Sequence, residues 1–83
     1  MTHEQIWYAI ETFAQEHGLT CSGLAKRSGL DATMFNKSKR FYPSGRPRWV
    51  SLESIAKIIN YAQISATEFF KYVDRAPTRI KNS

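Results

Sequence analysis

Polar and cationic side chains of this 83-residue chain concentrate between residues 20 and 48. Five positions in this stretch follow one another at i, i+1, i+4, i+5 and i+8, so they share one face if the segment is helical. These positions are Ala32, Thr33, Asn36, Lys37 and Arg40. Asparagine can pair with adenine, lysine and arginine can pair with guanine, and small methyl-bearing side chains can contact thymine. The pattern predicts a helix face that contacts base edges.

A second group of side chains suits the phosphate backbone. Thr20 and Ser22 stand at the start of a predicted helix, where hydroxyls and free N–H groups can bind phosphate. The cations that extend this surface are Lys39, Arg40, Arg46 and Arg48. Trp49 can stack or donate its indole N–H to a phosphate, although anchoring of a loop on the core is the interpretation that we favour for it.

The distribution of charge agrees with an anionic partner. The formal net charge is +5 and the pI is near 9.7. Residues 20–52 hold seven lysines and arginines against one aspartate, whereas residues 1–19 hold three glutamates and no cation. The positive charge therefore lies where the candidate contacts lie.

Start signals predict five helices that position these side chains. Thr2, Thr20, Asp31, Ser51 and Ser65 are the N-caps, and glycines close the first two helices. The first predicted helix follows Thr2 and is closed by Gly18. The other four span 21–28, 32–39, 52–62 and 66–73. Pro43 and Pro47 keep residues 40–50 out of a helix. We expect an all-α, compact five-helix bundle over 1–73 with a helix-turn-helix, and a flexible tail or truncated linker over 74–83.

Several function classes lack a signal in the sequence. There is no catalytic constellation, glycine-rich phosphate loop or zinc-type spacing, so we expect no enzyme, no cofactor, no metal and no small-molecule ligand. No apolar run is long enough for a membrane span, and no signal peptide is visible. The single Cys21 is expected to be half-buried and unreactive and fits a reducing compartment. These features predict a cytoplasmic protein.

The order of these motifs resembles the DNA-binding domains of lambda-type phage repressors and Cro-like regulators. The resemblance covers roughly residues 3–73 and is carried by Leu24-Ala25, Gly29-Leu30, the segment 51–59 and the segment 65–70. More narrowly, the segments 35–40 and 45–49 resemble the N-terminal domain of bacterial LexA-like repressors, which carry a self-cleaving serine-peptidase domain. The resemblance implies base contacts at Ala32, Thr33, Asn36 and Lys37, and phosphate contacts at Thr20, Cys21 and Ser22.

Two interpretations follow, and the sequence leaves both open. The first is a sequence-specific double-stranded DNA-binding domain of a transcriptional repressor, with helix 32–39 in the major groove of a two-fold operator and a possible homodimer on DNA. The alternative is a protein-interaction module, antitoxin-like or regulator-binding, that uses the same helices. RNA binding is less expected, because no aromatic sheet platform is visible.

Overall fold

The computed structural model describes residues 1–77, and this part of the chain is all-helical. Its α-helices are α1 (His3–Glu16), α2 (Cys21–Arg27), α3 (Leu52–Ala62) and α4 (Ala66–Asp74). Each begins directly after a residue that the sequence predicted as its cap, and the cap side chain accepts a hydrogen bond from the backbone two or three residues into the helix. At Thr2 the reciprocal bond is also present, because the Thr2 N–H donates to the Gln5 side-chain carbonyl at 2.8 Å, and this completes a capping box. These four helix starts are confirmed.

The core lies where α1 crosses α4 and α2. Ile6, Ile10 and Phe13 recur on one face of α1 and are at most 1% exposed. Leu24 of α2 and Phe69 of α4 close over them and are fully buried. The apolar face of α1 is thus the surface on which the other elements assemble.

The predicted helix 32–39 is wrong. Residues 32–35 form turns, Asn36 has an extended backbone with ψ of 153°, and only Lys37–Lys39 wind into a 3₁₀ helix. We call residues 31–39 the turn segment. Its backbone bonds, such as Met34 N–H to the Asp31 carbonyl and Lys39 N–H to the Asn36 carbonyl, join residues three apart. The motif therefore consists of α2 followed by an irregular segment, and a five-helix count does not hold for residues 1–77.

The physical reason lies in local side chains and in distant contacts. Asp31, Asn36 and Ser38 are residue types that favour turns over helix interiors, and the Asp31 carboxylate does accept a backbone hydrogen bond, from Thr33. At the same time Phe35 must reach the core, where it is 1% exposed beside Trp7. The segment satisfies both demands with tight turns, and Ser38 is exposed.

The basic loop folds back on itself as a small hairpin, residues 40–48. An isolated antiparallel bridge pairs Phe41 with Pro47, and Tyr42 N–H donates to the Arg46 carbonyl at 2.9 Å. The turn between them is closed by Gly45, whose φ of 90° suits glycine. Residues 40–48 do not alternate between polar and apolar side chains, so the sequence does not predict paired strands here. The turn itself is favoured by Pro43-Ser44-Gly45.

The last turn of the fold extends past α4. Arg75 pairs with Glu16 of α1, and Ala76 is 5% exposed. The predicted tail over 74–83 therefore begins within residues that pack on the body, and residues 78–83 of it lie outside the described residues.

Candidate nucleic-acid interface

An aspartate organises the first half of the turn segment. The Asp31 carboxylate accepts the Thr33 N–H at 2.9 Å and the Thr33 hydroxyl at 2.7 Å. These two bonds stabilise the anion and hold the pKa of Asp31 below its ordinary value. The Lys39 ammonium donates to the same Thr33 hydroxyl at 3.3 Å. Thr33 and Lys39, predicted to contact DNA separately, therefore form one hydrogen-bonded unit.

The middle of the turn segment presents side chains that hold no such partners. Asn36 and Lys37 are exposed, and Ala32 is partly exposed. Asn36 makes no side-chain capping bond, and Lys37 forms none of the ion pairs found among residues 1–77. These two side chains are available to an external partner without any contact having to break.

Arg40 lies differently from the other predicted base contacts. Its guanidinium pairs with Glu11 of α1 at 2.6 Å and lies 5.0 Å from the centre of the Trp7 ring. The side chain is only 17% exposed, and its Nε is buried without a partner. Arg40 thus ties the junction of the turn segment and the hairpin to α1. A base contact by Arg40 stays a prediction, and it would require both of these interactions to break.

Two residues of α1 hold the hairpin by its backbone. The Nε2 of His3 lies 2.8 Å from the Arg40 carbonyl and 3.1 Å from the Arg48 carbonyl. Because both carbonyls accept, the ring proton is on Nε2, which the two bonds share. The Trp7 indole N–H donates to the Arg48 carbonyl at 3.0 Å. The two ends of the hairpin are therefore fixed side by side on α1.

Sequence reasoning missed this anchor. His3, Trp7 and Glu11 stand at i, i+4 and i+8 of α1, so they form one stripe beside the apolar face. A histidine, a tryptophan and a carboxylate in such a row mark a helix face that meets backbone carbonyls and a cation. Nothing in the sequence named the hairpin as their partner, because the contacts span 29 to 45 residues.

The hairpin displays two arginines and two exposed aromatic rings, and Trp49 directly after it adds a third. Arg46 and Arg48 both approach the Tyr42 ring, at 4.6 and 5.9 Å from its centre. Phe41, Tyr42 and Trp49 are between 40% and 52% exposed. Trp49, expected as the loop anchor, has its ring centre 5.9 Å from that of His3 and leaves half its surface open. Trp7 performs the anchoring instead, and Trp49 is open to an external partner.

The start of α2 forms the other flank of the candidate surface. The Thr20 hydroxyl accepts the Gly23 N–H at 2.9 Å, while Ser22 is partly exposed. Burial raises the pKa of the Cys21 thiol, and the charge of Glu11 raises it further. The charges of Arg40 and Lys37 act in the opposite direction and lower the pKa of this thiol. Cys21 is half-buried, as predicted, and its raised pKa keeps the thiol protonated.

The balance of charges over this surface is strongly positive. Among residues 1–77 the ion pairs are Arg40–Glu11, Lys57–Glu53 and Arg75–Glu16. Six of the seven cations in residues 20–52 consequently have no carboxylate partner in the described part of the chain. They are Lys26, Arg27, Lys37, Lys39, Arg46 and Arg48.

Two other kinds of site find no support in residues 1–77. No group of three or more histidine, cysteine, aspartate or glutamate side chains is arranged to hold a metal ion there. None of the helices in this range combines the length and the apolar character needed to cross a bilayer. Comparison of the chain with protein-family models, with curated proteins and with solved structures finds no match.

Proposed function

We propose that this chain binds double-stranded DNA sequence-specifically, as the DNA-binding domain of a bacterial or phage-type transcriptional repressor. The observation that carries the proposal is the set of six cations without carboxylate partners on α2, the turn segment and the hairpin. Leaving so many like charges unpaired disfavours the isolated fold, and a polyanion compensates for them by releasing its counterions.

The proposed division of labour differs from that of a recognition helix. Asn36 and Lys37 contact base edges, because both are exposed and lack internal partners. Ala32 and the Thr33 methyl group lie beside them as apolar contacts. Lys39, tied to Thr33, serves phosphate together with Arg46, Arg48 and the start of α2. Arg40 positions the segment from behind.

Operators of two-fold symmetry follow if two copies bind, with half-sites about 34 Å apart along the duplex. The protein then acts without cofactor or catalysis, by occupying its site. A localisation in the bacterial nucleoid belongs to the same proposal.

A protein-interaction module is the second candidate function. The observation that favours it is the exposed apolar surface of Phe41, Trp49 and Leu52, the last of which is 76% exposed. An irregular segment and a hairpin can dock on an acidic protein as well as on a duplex. The affinity for duplex DNA at increasing salt separates the two candidates. A DNA-binding surface should lose affinity for the duplex steeply, because counterion release drives that binding.

The deciding experiment is selection of bound sequences from randomised duplex DNA, followed by fluorescence anisotropy on the selected duplex and a scrambled one. We expect a defined motif that is bound at least about 1,000-fold more tightly than the scrambled duplex. Arg46→Gln should reduce the salt slope by about 1, because one phosphate contact is lost. Lys71→Gln, an exposed charge change on α4 outside the surface, is the matched control and should leave the slope unchanged.

Two outcomes contradict the proposal. One is recovery of no motif together with equal, weak binding to every duplex. The other is an equal reduction of the salt slope by Arg46→Gln and Lys71→Gln, which would mean that net charge, not this surface, governs the attraction.

A further inference from the structure

A cleft of about 310 Å³ lies between the turn segment, the end of the hairpin and the first turn of α3. Its volume is at the lower end of the range found for small-molecule sites. Met34, Phe35 and Val50 supply apolar walls, and Trp49 stands at the side with half its surface exposed. The cleft can therefore take a compact apolar body.

Cations surround the same cleft. Lys39, Arg48 and Lys57 line it, and Glu53 is the one carboxylate among its lining residues. Glu53 lies 3.8 Å from Lys57, so its charge is directed to that lysine. Lys39 and Arg48 have no carboxylate partner within residues 1–77. The excess of positive charge among the residues that line the cleft favours a ligand with one negative charge.

The aromatic lining narrows the ligand further. The Trp49 and His3 ring centres lie 5.9 Å apart with their planes at 72°, and about half of the Trp49 surface is exposed, so part of the indole is open to a ligand. The Met34 thioether lines the same cleft and is a favourable neighbour of an aromatic ring. A planar ring gains stacking against an indole that an aliphatic body of equal size does not.

We propose that this cleft binds a small aromatic carboxylate, with its ring against Trp49 and Met34 and its carboxylate toward Lys39 and Arg48. Both cations also belong to the surface that we assign to DNA. Occupancy of the cleft therefore opposes DNA binding, and this consequence, unlike the site itself, rests on the proposed function.

The test is an NMR titration of ¹⁵N-labelled protein with 2-naphthoate, which combines a fused aromatic ring with a carboxylate. We expect saturable shifts of the Trp49 indole N–H and of the Arg48 amide, with a Kd below about 1 mM. The neutral 2-naphthamide and the saturated decahydro-2-naphthoate, which keeps the carboxylate on an aliphatic body of similar size, should each bind at least about tenfold more weakly. Equal binding of either compound would overturn the assignment of ligand class, and shifts that do not saturate would overturn the site.

Matched variants locate the binding. Arg48→Gln and Trp49→Ala should each weaken 2-naphthoate binding about tenfold or more. Arg46→Gln removes the same charge from the same hairpin but does not line the cleft, and it should change the Kd less than about twofold. An equal loss in Arg46→Gln would overturn the proposal. A dispersed amide spectrum verifies the fold of each variant, and either of the first two decides alone if the other does not fold.

A second titration, on protein bound to its selected duplex, separates the two proposals. Saturating 2-naphthoate should raise the apparent Kd for DNA by the factor 1 + [L]/Kd of a competitor. An unchanged Kd for DNA would refute the competition while the site stands. A chain that binds 2-naphthoate and no duplex would refute the proposed function alone.

Discussion

Replacement of Arg40 by glutamine separates a positioning role from a DNA-contacting role. The sequence pattern puts Arg40 on the base-contacting face, whereas its guanidinium is directed to Glu11 and Trp7. Arg40→Gln keeps most of the aliphatic side chain and removes the charge. If Arg40 positions the turn segment and the hairpin, the variant loses stability and retains most of its affinity for DNA.

The magnitude follows from partial burial of the pair. Arg40 and Glu11 side chains are 17% and 37% exposed, so the pair is worth more than a surface ion pair and less than a buried one. The contact with Trp7 adds about 0.5–1 kcal/mol. The substitution also removes the Arg40 Nε, whose burial without a hydrogen-bond partner is unfavourable, and this offsets part of the lost stability. The net loss is about 1–2 kcal/mol, which corresponds to about 5–15 °C in Tm for a domain of this size.

Circular dichroism during thermal unfolding gives the Tm, and fluorescence anisotropy on the selected duplex gives the Kd for DNA. We expect the lower Tm and, where the variant is fully folded, a Kd for DNA within about threefold of the original. Glu11→Gln should lower the Tm comparably, and the double variant should fall short of additivity by about 1 kcal/mol. An unchanged Tm with DNA binding weakened tenfold or more, which is about 1.4 kcal/mol, would refute the positioning role and restore Arg40 as a contact.

Three other perturbations test separate parts of the structure. Lys37→Ala should cost about 1–3 kcal/mol at the selected duplex and relax the preference at one base pair; equal weakening on all sequences would make Lys37 a phosphate contact. Trp7→Phe keeps a six-membered aromatic ring but removes the N–H donor to the Arg48 carbonyl and part of a buried ring, so urea unfolding should show a loss of at least about 1 kcal/mol, and no loss would contradict the anchor. The hydrogen bond from Arg75 holds the pKa of Glu16 below its ordinary value of 4.5. This stabilisation is complete above that pH and is lost as the pH falls through the folded-state pKa, so the difference in unfolding free energy from Glu16→Gln should narrow on acidification; a constant difference would contradict the pairing.

The starts of α1, α2, α3 and α4 could be predicted because their determinants are local. A Thr or Ser followed by the first helical turn contains both partners of the capping bond, as Thr20 and Gly23 show at 2.9 Å. The same reasoning failed at Asp31. Its carboxylate does accept the Thr33 N–H, yet the bonds that follow form isolated turns instead of a helix. A capping residue is compatible with both outcomes, and contacts distant in sequence decide between them.

The candidate site also contains some residues placed by local sequence and others placed by contacts distant in sequence. Exposure of Asn36 and Lys37 agrees with the predicted outward face, since polar side chains without partners stay in solvent wherever the backbone permits. The inward course of Arg40 depends on Glu11, 29 residues away, and on Trp7. No local pattern around Arg40 contains that information. The charge census located the cation-rich segment, but it could not distinguish a cation that pairs within the fold from one that has no carboxylate partner there.

The conformation of the irregular turn segment depends on its contacts with α1. A recognition helix keeps its side chains in register through its own backbone bonds, whereas residues 31–39 are held at Phe35 by the core and at their end by Arg40. His3 and Trp7 fix the backbone carbonyls on either side of the hairpin. The stripe of His3, Trp7 and Glu11 therefore sets where the exposed cations lie relative to Asn36 and Lys37. Under the proposed function, we expect a change in that stripe to alter the geometry of the DNA-binding surface without removing a contact to DNA. We expect a change at Asn36 to remove the proposed base contact without altering the fold.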